Sequence, residues 1–259
     1  MIRLAANLSM MFAEVPMAAR PAAAAACGFR GVEVQFPYDL DAGVFGTALG
    51  HAGTALVLFN LPPGDWAAGE RGLAALPGRE AAFEAGLERA LALAARLGCP
   101  RLHAMAGIAD AADPAARRTF CANLRLAAAR CAAAGITVLI EPLNTRDVPG
   151  YYLTSADTAA DIIAAVGTPN LKLQFDFYHA QIMGGDITHR LHRLAPLIGH
   201  VQIAGVPDRT EPDRGELAYA RLFAVLEEVG YDGWVGAEYR PAGETRDGLG
   251  WAAPWGITV

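Results

Sequence analysis

Four polar residues in the second half of the chain each follow a short apolar run. Glu141 ends Thr137-Val-Leu-Ile, Asp176 ends Leu171-Lys-Leu-Gln-Phe, Gln202 lies in His200-Val-Gln, and Glu238 ends Trp234-Val-Gly-Ala. They stand 35, 26 and 36 residues apart, about one strand-plus-helix unit each. If consecutive parallel strands carry them, three carboxylates and an amide oxygen converge at one end of the sheet. Such a group repels itself unless something positive binds it, and an all-oxygen set suits Mg2+ or Mn2+ better than zinc. The matching chemistry is a proton transfer beside a carbonyl. A cation held by the carbonyl and hydroxyl oxygens of an α-hydroxy carbonyl compound stabilises the enediolate, and two flanking carboxylates take and return the proton. Glu141 and Glu238, on the first and last of the four runs, are the pair assigned to that work. The plain alternative, that one or two of these acids form internal salt bridges or cap loops, loses ground when four consecutive strands end alike.

The elements that would position these groups can be read along the whole chain. Eight β-rich runs are expected as strands: Arg3–Ser9, Gly31–Phe36, Ala55–Asn60, Arg101–Gly107, Thr137–Asn144, Leu171–Phe177, Gly199–Ala204 and Trp234–Tyr239. Between them lie Ala/Leu-rich runs. Glu80–Leu97 places Phe83, Leu87, Leu91 and Ala94 on one face and stops at Gly98-Cys99-Pro100, the pattern of an amphipathic helix with a helix stop. Pro114–Ala134 and Leu217–Val229 are further helix candidates, and Thr154-Ser155 offers an N-cap before Ala159–Val166. Gly28, Gly53, Gly98, Gly135, Gly167 and Gly230 mark helix ends. Strand–helix alternation with no linker or composition break predicts a single (β/α)8 TIM barrel over residues 1–259. An open doubly wound sheet usually has a Gly-rich phosphate loop after its first strand, and Asn7-Leu8-Ser9-Met10-Met11-Phe12 contains no glycine. The loop 62–78 after the third strand falls on the substrate side of such a barrel, and its length marks it as functional.

Composition narrows the classes further. The chain has 27 acidic against 21 basic Lys/Arg residues, a formal charge of −6, and no local basic cluster, so no nucleic-acid partner is expected. About a fifth of the residues are alanine, the best helix former. Asn7, Ser9 and Glu14 interrupt the apolar start, which reads as strand plus helix rather than an export signal, and no run is long enough to cross a membrane. Cys27, Cys99, Cys121 and Cys131 show no metal-like spacing and read as reduced, buried thiols, so a cytoplasmic location is expected. Self-association of the chain is left open.

The segments RLAANLSMMF, CGFRGVEVQFPYD, NLPPGDWAAGERG, LPGRE, IEPLN, QFDFYHAQ, GHVQIA and GWVGAEY resemble the hydroxypyruvate isomerase family, within the xylose-isomerase-like barrels. The resemblance runs through nearly the whole chain in order. It implies metal ligation by Glu141, Asp176, Gln202 and Glu238. Relatives that epimerise ketoses commonly have histidine where this chain has Gln202, so the resemblance favours the hydroxypyruvate-type branch. It also implies a substrate contact for His179 and for Arg209, whose planar fork suits a carboxylate. Arg71 in the long loop is the second candidate for that grip, with a solvated loop charge as its alternative.

The remaining polar residues carry weaker signals. Glu33, in mid-strand, is open between a buried ion pair and a substrate contact. His200 is expected to serve the core, Asn60 and His103 to line the pocket, and Trp66 and Phe12 to exclude water or simply pack. The expected activity is isomerisation of hydroxypyruvate to 2-hydroxy-3-oxopropanoate, a small hydroxy-keto acid reaction. The four-carbon 2-oxo-tetronate analogue, a ketose 3-epimerase or inosose dehydratase, and a non-catalytic sugar-binding barrel follow as alternatives. A barrel nuclease would need a histidine-rich zinc site and a basic groove, and the chain has six scattered histidines.

Overall fold

A computed structural model describes residues 2–258. Eight parallel strands close into a barrel in chain order: β1 (Arg3–Asn7), β2 (Gly31–Val34), β3 (Ala55–Asn60), β4 (Arg101–His103), β5 (Thr137–Ile140), β6 (Leu171–Asp176), β7 (Ile198–Ile203) and β8 (Trp234–Ala237), with β8 pairing β1. Around them run α1 (Arg20–Ala26), α2 (Ala42–Ala52), α3 (Glu80–Leu97), α4 (Pro114–Ala133), α5 (Ala156–Val166), α6 (Phe177–Ile182), α7 (Ile187–Leu194) and α8 (Tyr219–Glu228). The expected barrel is the observed one. α3 has the bounds read from its periodicity, and Ser155 caps α5 by accepting from the Asp157 N–H at 3.2 Å. Gly53, Gly98 and Gly167 end α2, α3 and α5 in the left-handed conformation.

Several strands are shorter than expected, for local reasons. β5 stops at Ile140 because Pro142 has no N–H to give and Leu143 bonds to Leu153 across the following loop. β4 stops at His103, after which Ala106 pairs antiparallel with Gly72. β6 stops at Asp176, whose Oδ1 accepts from the Tyr178 N–H at 2.7 Å and starts α6 at once. A run expected to remain strand through Phe177 therefore turns helical at that residue.

The main core lies between sheet and helices. Leu173 and Phe175 of β6 face it, as do Phe120, Leu124, Ile162 and Leu226. Part of the alanine excess lines the inner helix faces at Ala24, Ala90, Ala94, Ala127 and Ala159, where a small side chain lets a helix sit close to the strands. Inside the barrel Ala5, Val57, Leu58 and Leu139 form a separate apolar cluster against Trp234. Buried polar residues such as Glu33, Gln174, His200 and Gln202 lie on strands β2, β6 and β7 of the same barrel. All four cysteines are buried and unpaired, and among the described residues no helix is long and apolar enough to cross a membrane.

The loop 62–78 is docked, not free. Beyond the Gly72–Ala106 bridge, the Ala74 and Ala75 N–H groups donate to the carbonyls of Met105 and Ala106 at 3.2 and 2.7 Å. Gly72 has φ +113, and a Cβ there would lie 2.3 Å from the Met105 carbonyl oxygen. Gly72→Ala should therefore cost about 1–3 kcal/mol of stability and speed protease cleavage within 62–78. Unchanged urea midpoints and cleavage rates would show that this docking is unimportant.

Candidate active site

Glu141 and Glu238 sit one residue beyond the ends of β5 and β8, Asp176 is the last residue of β6, and Gln202 is the next to last of β7. Asp176 and Gln202 are register partners, and Gln202 is in turn paired with Gly236 of β8. All four side chains are buried. Glu141 and Glu238 line a cavity of about 520 Å³ together with His179, Gln174, Arg209 and Arg71, while Asp176 edges a neighbouring cleft that shares His179.

The hydrogen bonds divide this group unevenly. Gln174 Nε2 donates both to Glu141 Oε2 (2.9 Å) and to Gln202 Oε1 (2.6 Å). Glu238 Oε1 accepts from Asn7 Nδ2 (2.9 Å) and Gln35 Nε2 (3.0 Å), while its Oε2 accepts from Arg209 at 2.7 Å. That same guanidinium nitrogen lies 3.8 Å from Asp176 Oδ2. Glu141 Oε1 and Asp176 Oδ2, though buried, accept no hydrogen bond. Together with a nitrogen of His179 these carboxylates offer ligand atoms within 4.8 Å of one another. Two bare carboxylate oxygens side by side out of water form a donor set that fits a hard cation.

The electrostatics agree. Burial pushes the Glu141 carboxyl well above the usual carboxylate range, and the charges of Glu238 and Asp176 push it further. Burial also lifts Asp176 to about 7 against the pull of Arg209, and raises Glu238, again opposed by Arg209. Burial works against the Arg209 charge, but Glu238, Asp176 and Glu141 outweigh it and raise this group above its ordinary value. Burial holds His179 well below the ordinary histidine range, and His103 is pulled down to about 3 the same way, so both rings are neutral at pH 7. His179 Nδ1 accepts from the Asn144 backbone N–H at 3.0 Å. A neutral ring with Nδ1 accepting carries its proton on Nε2, which lies 3.7 Å from Asp176 Oδ2 and 4.0 Å from Glu141 Oε1.

The residues singled out as ligands, catalytic pair or substrate contacts lie at this end of the barrel, whereas Phe12 packs on Phe29 away from the cavity. One of the substrate contacts, Arg209, is engaged differently than expected. Arg209, expected to grip a substrate carboxylate, points its guanidinium at Glu238, Asp176 and Asp147 and lies over the Tyr178 ring. Its backbone has φ +56, fixed by its N–H on Gly205 O and its carbonyl on the Arg240 N–H. Arg71 lines the cavity and stacks on Trp66 at 3.8 Å, and among the described residues its hydrogen bonds go to the backbone carbonyls of Trp66 and Glu70. Asn60 and His103 line the cavity and contact each other at 3.2 Å. His200 serves the interior as expected, and Glu33 resolves to the buried-pair reading: they bond at 2.5 Å. The sequence reading missed Asn7, Gln35 and Gln174. Gln35 and Gln174 each lie two residues from an acid already singled out, the spacing that puts side chains on one face of a strand. Farther out, a cavity of about 1510 Å³ is edged by Arg71, Arg146, Arg209 and Arg240 against Asp147 and Asp208.

A closed parallel barrel with its polar cluster at the C-terminal strand ends defines a barrel enzyme, and the chain belongs to the xylose isomerase-like TIM barrel family, whose model matches residues 21–255. It is 54% identical over 257 residues to a 2-oxo-tetronate isomerase of Cupriavidus necator, covering 98% of this chain and 99% of that one. It is 45% identical to a hydroxypyruvate isomerase of Escherichia coli, covering 98% and 100%. Among solved structures, a Brucella melitensis protein described as an AP endonuclease of family 2 superposes with a TM-score of 0.97 at 53% identity, over 98% of this chain and 99% of that one.

The raised carboxyls make stability depend on pH in a definite direction. Without metal, the raised carboxyls, Glu141 and Asp176 foremost, hold their protons to higher pH in the folded protein than in the unfolded chain. These groups therefore favour folding least as pH rises from about 4 to about 7. In EDTA the urea midpoint should fall between pH 5 and pH 7.5, and fall less in Asp176→Asn. Added Mn2+, which must displace those protons, should raise the melting temperature more at pH 7.5 than at pH 5. The opposite order would contradict the assignment of these shifts.

Proposed function

We propose that this protein is an isomerase that moves the carbonyl of a small hydroxy-keto acid by one carbon. Its substrate is hydroxypyruvate, giving 2-hydroxy-3-oxopropanoate, or the four-carbon 2-oxo-tetronate homologue. The observation that carries this reading is one cavity lined by two buried carboxylates, Glu141 and Glu238, and by an arginine, Arg71, that pairs with no carboxylate among the described residues. High identity over the full length to proteins named as isomerases of both substrates supports an isomerase.

Glu141, Asp176, Gln202 and Glu238 would hold Mg2+ or Mn2+, with the bare oxygens of Glu141 and Asp176 as its first seats. Bound there, the cation supplies positive charge that stabilises the enediolate oxygens. Glu141 and Glu238 move the proton between neighbouring carbons. Gln174 fixes Glu141 by one oxygen and leaves the other free, whereas Asn7, Gln35 and Arg209 hold Glu238 by both. His179, with its proton on Nε2, donates to a substrate oxygen, the role the sequence reading assigned to it. Arg71 takes the substrate carboxylate, because the Arg209 charge is already committed to Glu238 and Asp176. Asn60 lines the same cavity and offers a polar contact to the substrate. A nuclease reading gains little from the cluster: among the described residues the compact group that could hold a metal is Glu141, Asp176 and His179, and His103 beside Glu141 adds a second histidine at 3.6 Å, short of a histidine-rich zinc site.

Purified protein supplied with Mg2+ or Mn2+ should turn over hydroxypyruvate or 2-oxo-tetronate far faster than any free ketose. Glu141→Gln and Glu238→Gln, folded and metal-bound, should each lose at least about 100-fold in kcat. Near wild-type turnover in either would refute the two-carboxylate mechanism. Arg71→Ala should raise KM for the acid substrate by about 10- to 100-fold, the worth of a charge-assisted hydrogen bond. Its effect on a neutral ketose should be small; equal effects on both would assign the carboxylate to another residue.

A further inference from the structure

Beneath the proposed cation seat lies a fourth buried carboxylate, which the mechanism does not use. Glu33 is 1% exposed, and its oxygens meet His200 Nε2 at 2.5 Å, Gln202 Nε2 at 2.8 Å and Asn7 Nδ2 at 3.2 Å. It sits at a shift in the β2–β3 register, between Val32 and Glu33, and fills space that Gly236 leaves open. A Cβ on Gly236 would lie 1.9 Å from Glu33 Oε1. His200 Nδ1 is buried without a partner, so the imidazole proton belongs on Nε2, where Glu33 accepts it. The carboxylate is thus surrounded by donors and has none of its own to give.

That arrangement has a consequence for Gln202. The two ends of an amide are nearly the same shape but opposite in function: the oxygen can bind a cation and the NH2 cannot. Whichever end faces a carboxylate must be the NH2. Facing Glu33 with Nε2, Gln202 turns Oε1 toward the neighbouring Gln174, which also holds Glu141. One lone pair of Oε1 accepts from Gln174 and the second remains for a cation. We infer that Glu33 is a positioning residue, locking the Gln202 amide so that its oxygen, and not its NH2, faces the cation. The inference rests on the reading of Gln202 as a ligand.

The test uses Mn2+ alone, with binding followed by titration calorimetry and by loss of the free-ion EPR signal on the intact protein. Glu33→Gln can pair with Gln202 in either orientation, so Mn2+ affinity should fall by about 10- to 100-fold, as when an outer partner of a ligand is removed. A carboxylate has equivalent oxygens and no wrong way round. In the exchanged pair Glu33→Gln/Gln202→Glu, the NH2 at 33 holds one oxygen at 202 and leaves the other free, and affinity should return close to that of the wild type. Gln202→Glu alone sets two acceptors face to face and should bind Mn2+ more weakly than the exchanged pair, although it carries one more negative charge. If Gln202→Glu binds more tightly than the exchanged pair, bulk charge governs the site and the inference is overturned. It is also overturned if Glu33→Gln binds as tightly as the wild type. Should Glu33→Gln not fold, the comparison of Gln202→Glu with the exchanged pair still decides. A wild-type protein that binds no Mn2+ overturns the ligand reading and this inference with it, whereas wild-type binding with an unaffected Glu33→Gln removes this inference alone.

Discussion

Mutual repulsion among buried carboxylates is the constraint around which the upper barrel is arranged. Two like charges about 4 Å apart repel by about 4 kcal/mol at an effective dielectric constant of about 20. Glu141, Asp176, Glu238 and Glu33 share one barrel end, away from water. The protein answers in three ways. Donors surround Glu33 and Glu238, Arg209 places a guanidinium against Glu238 and Asp176, and protons remain on the raised carboxyls. Two of the carboxylate oxygens, Glu141 Oε1 and Asp176 Oδ2, still accept no hydrogen bond, although the Arg209 guanidinium lies 3.8 Å from the second. Such a pair of oxygens is compatible with the proposed cation.

The barrel makes this concentration of charge feasible. In a parallel sheet every strand ends on the same side, and closure turns those ends inward upon one point. The apolar layer of Ala5, Val57, Leu58 and Leu139 lies inside the same barrel as the polar groups. Register shifts occur beside Glu33 in β2 and beside Gln174 in β6, the two side chains that grip Gln202 from opposite sides. An irregularity of this kind re-aims a side chain without interrupting the sheet, and here both irregularities serve the same amide.

Much of this was legible in the sequence because strand ends and helix stops have local causes. Gly98 and Gly167 stop helices through their own backbone freedom, and the four strand-end polar residues follow from their spacing. What was not legible depends on partners distant in the chain. Arg209 reads as a free cation in its own loop, yet its charge is taken by Glu238 and Asp176. Glu33 was ambiguous because its partners, His200 and Gln202, lie five strands away in sequence order, and Gln174 looked like one more inward strand residue. The early start of α6 was hidden because an aspartate that ends a strand and one that caps a helix are the same residue here, Asp176.

The outer cavity, edged by Arg71, Arg146, Arg209 and Arg240 against two aspartates, alters what the formal charge of −6 means for encounter in solution. A uniform negative sphere would slow an anionic metabolite. The proposed anionic substrate would meet Arg71, Arg146 and Arg240 at this mouth, with Arg209 already paired below, and a locally positive entrance of that kind would speed its capture. Salt screens that field over about 8–10 Å at physiological strength, so the advantage is confined to the last stretch of approach. It therefore sets the frequency of productive collisions and leaves the chemistry at the barrel floor unchanged.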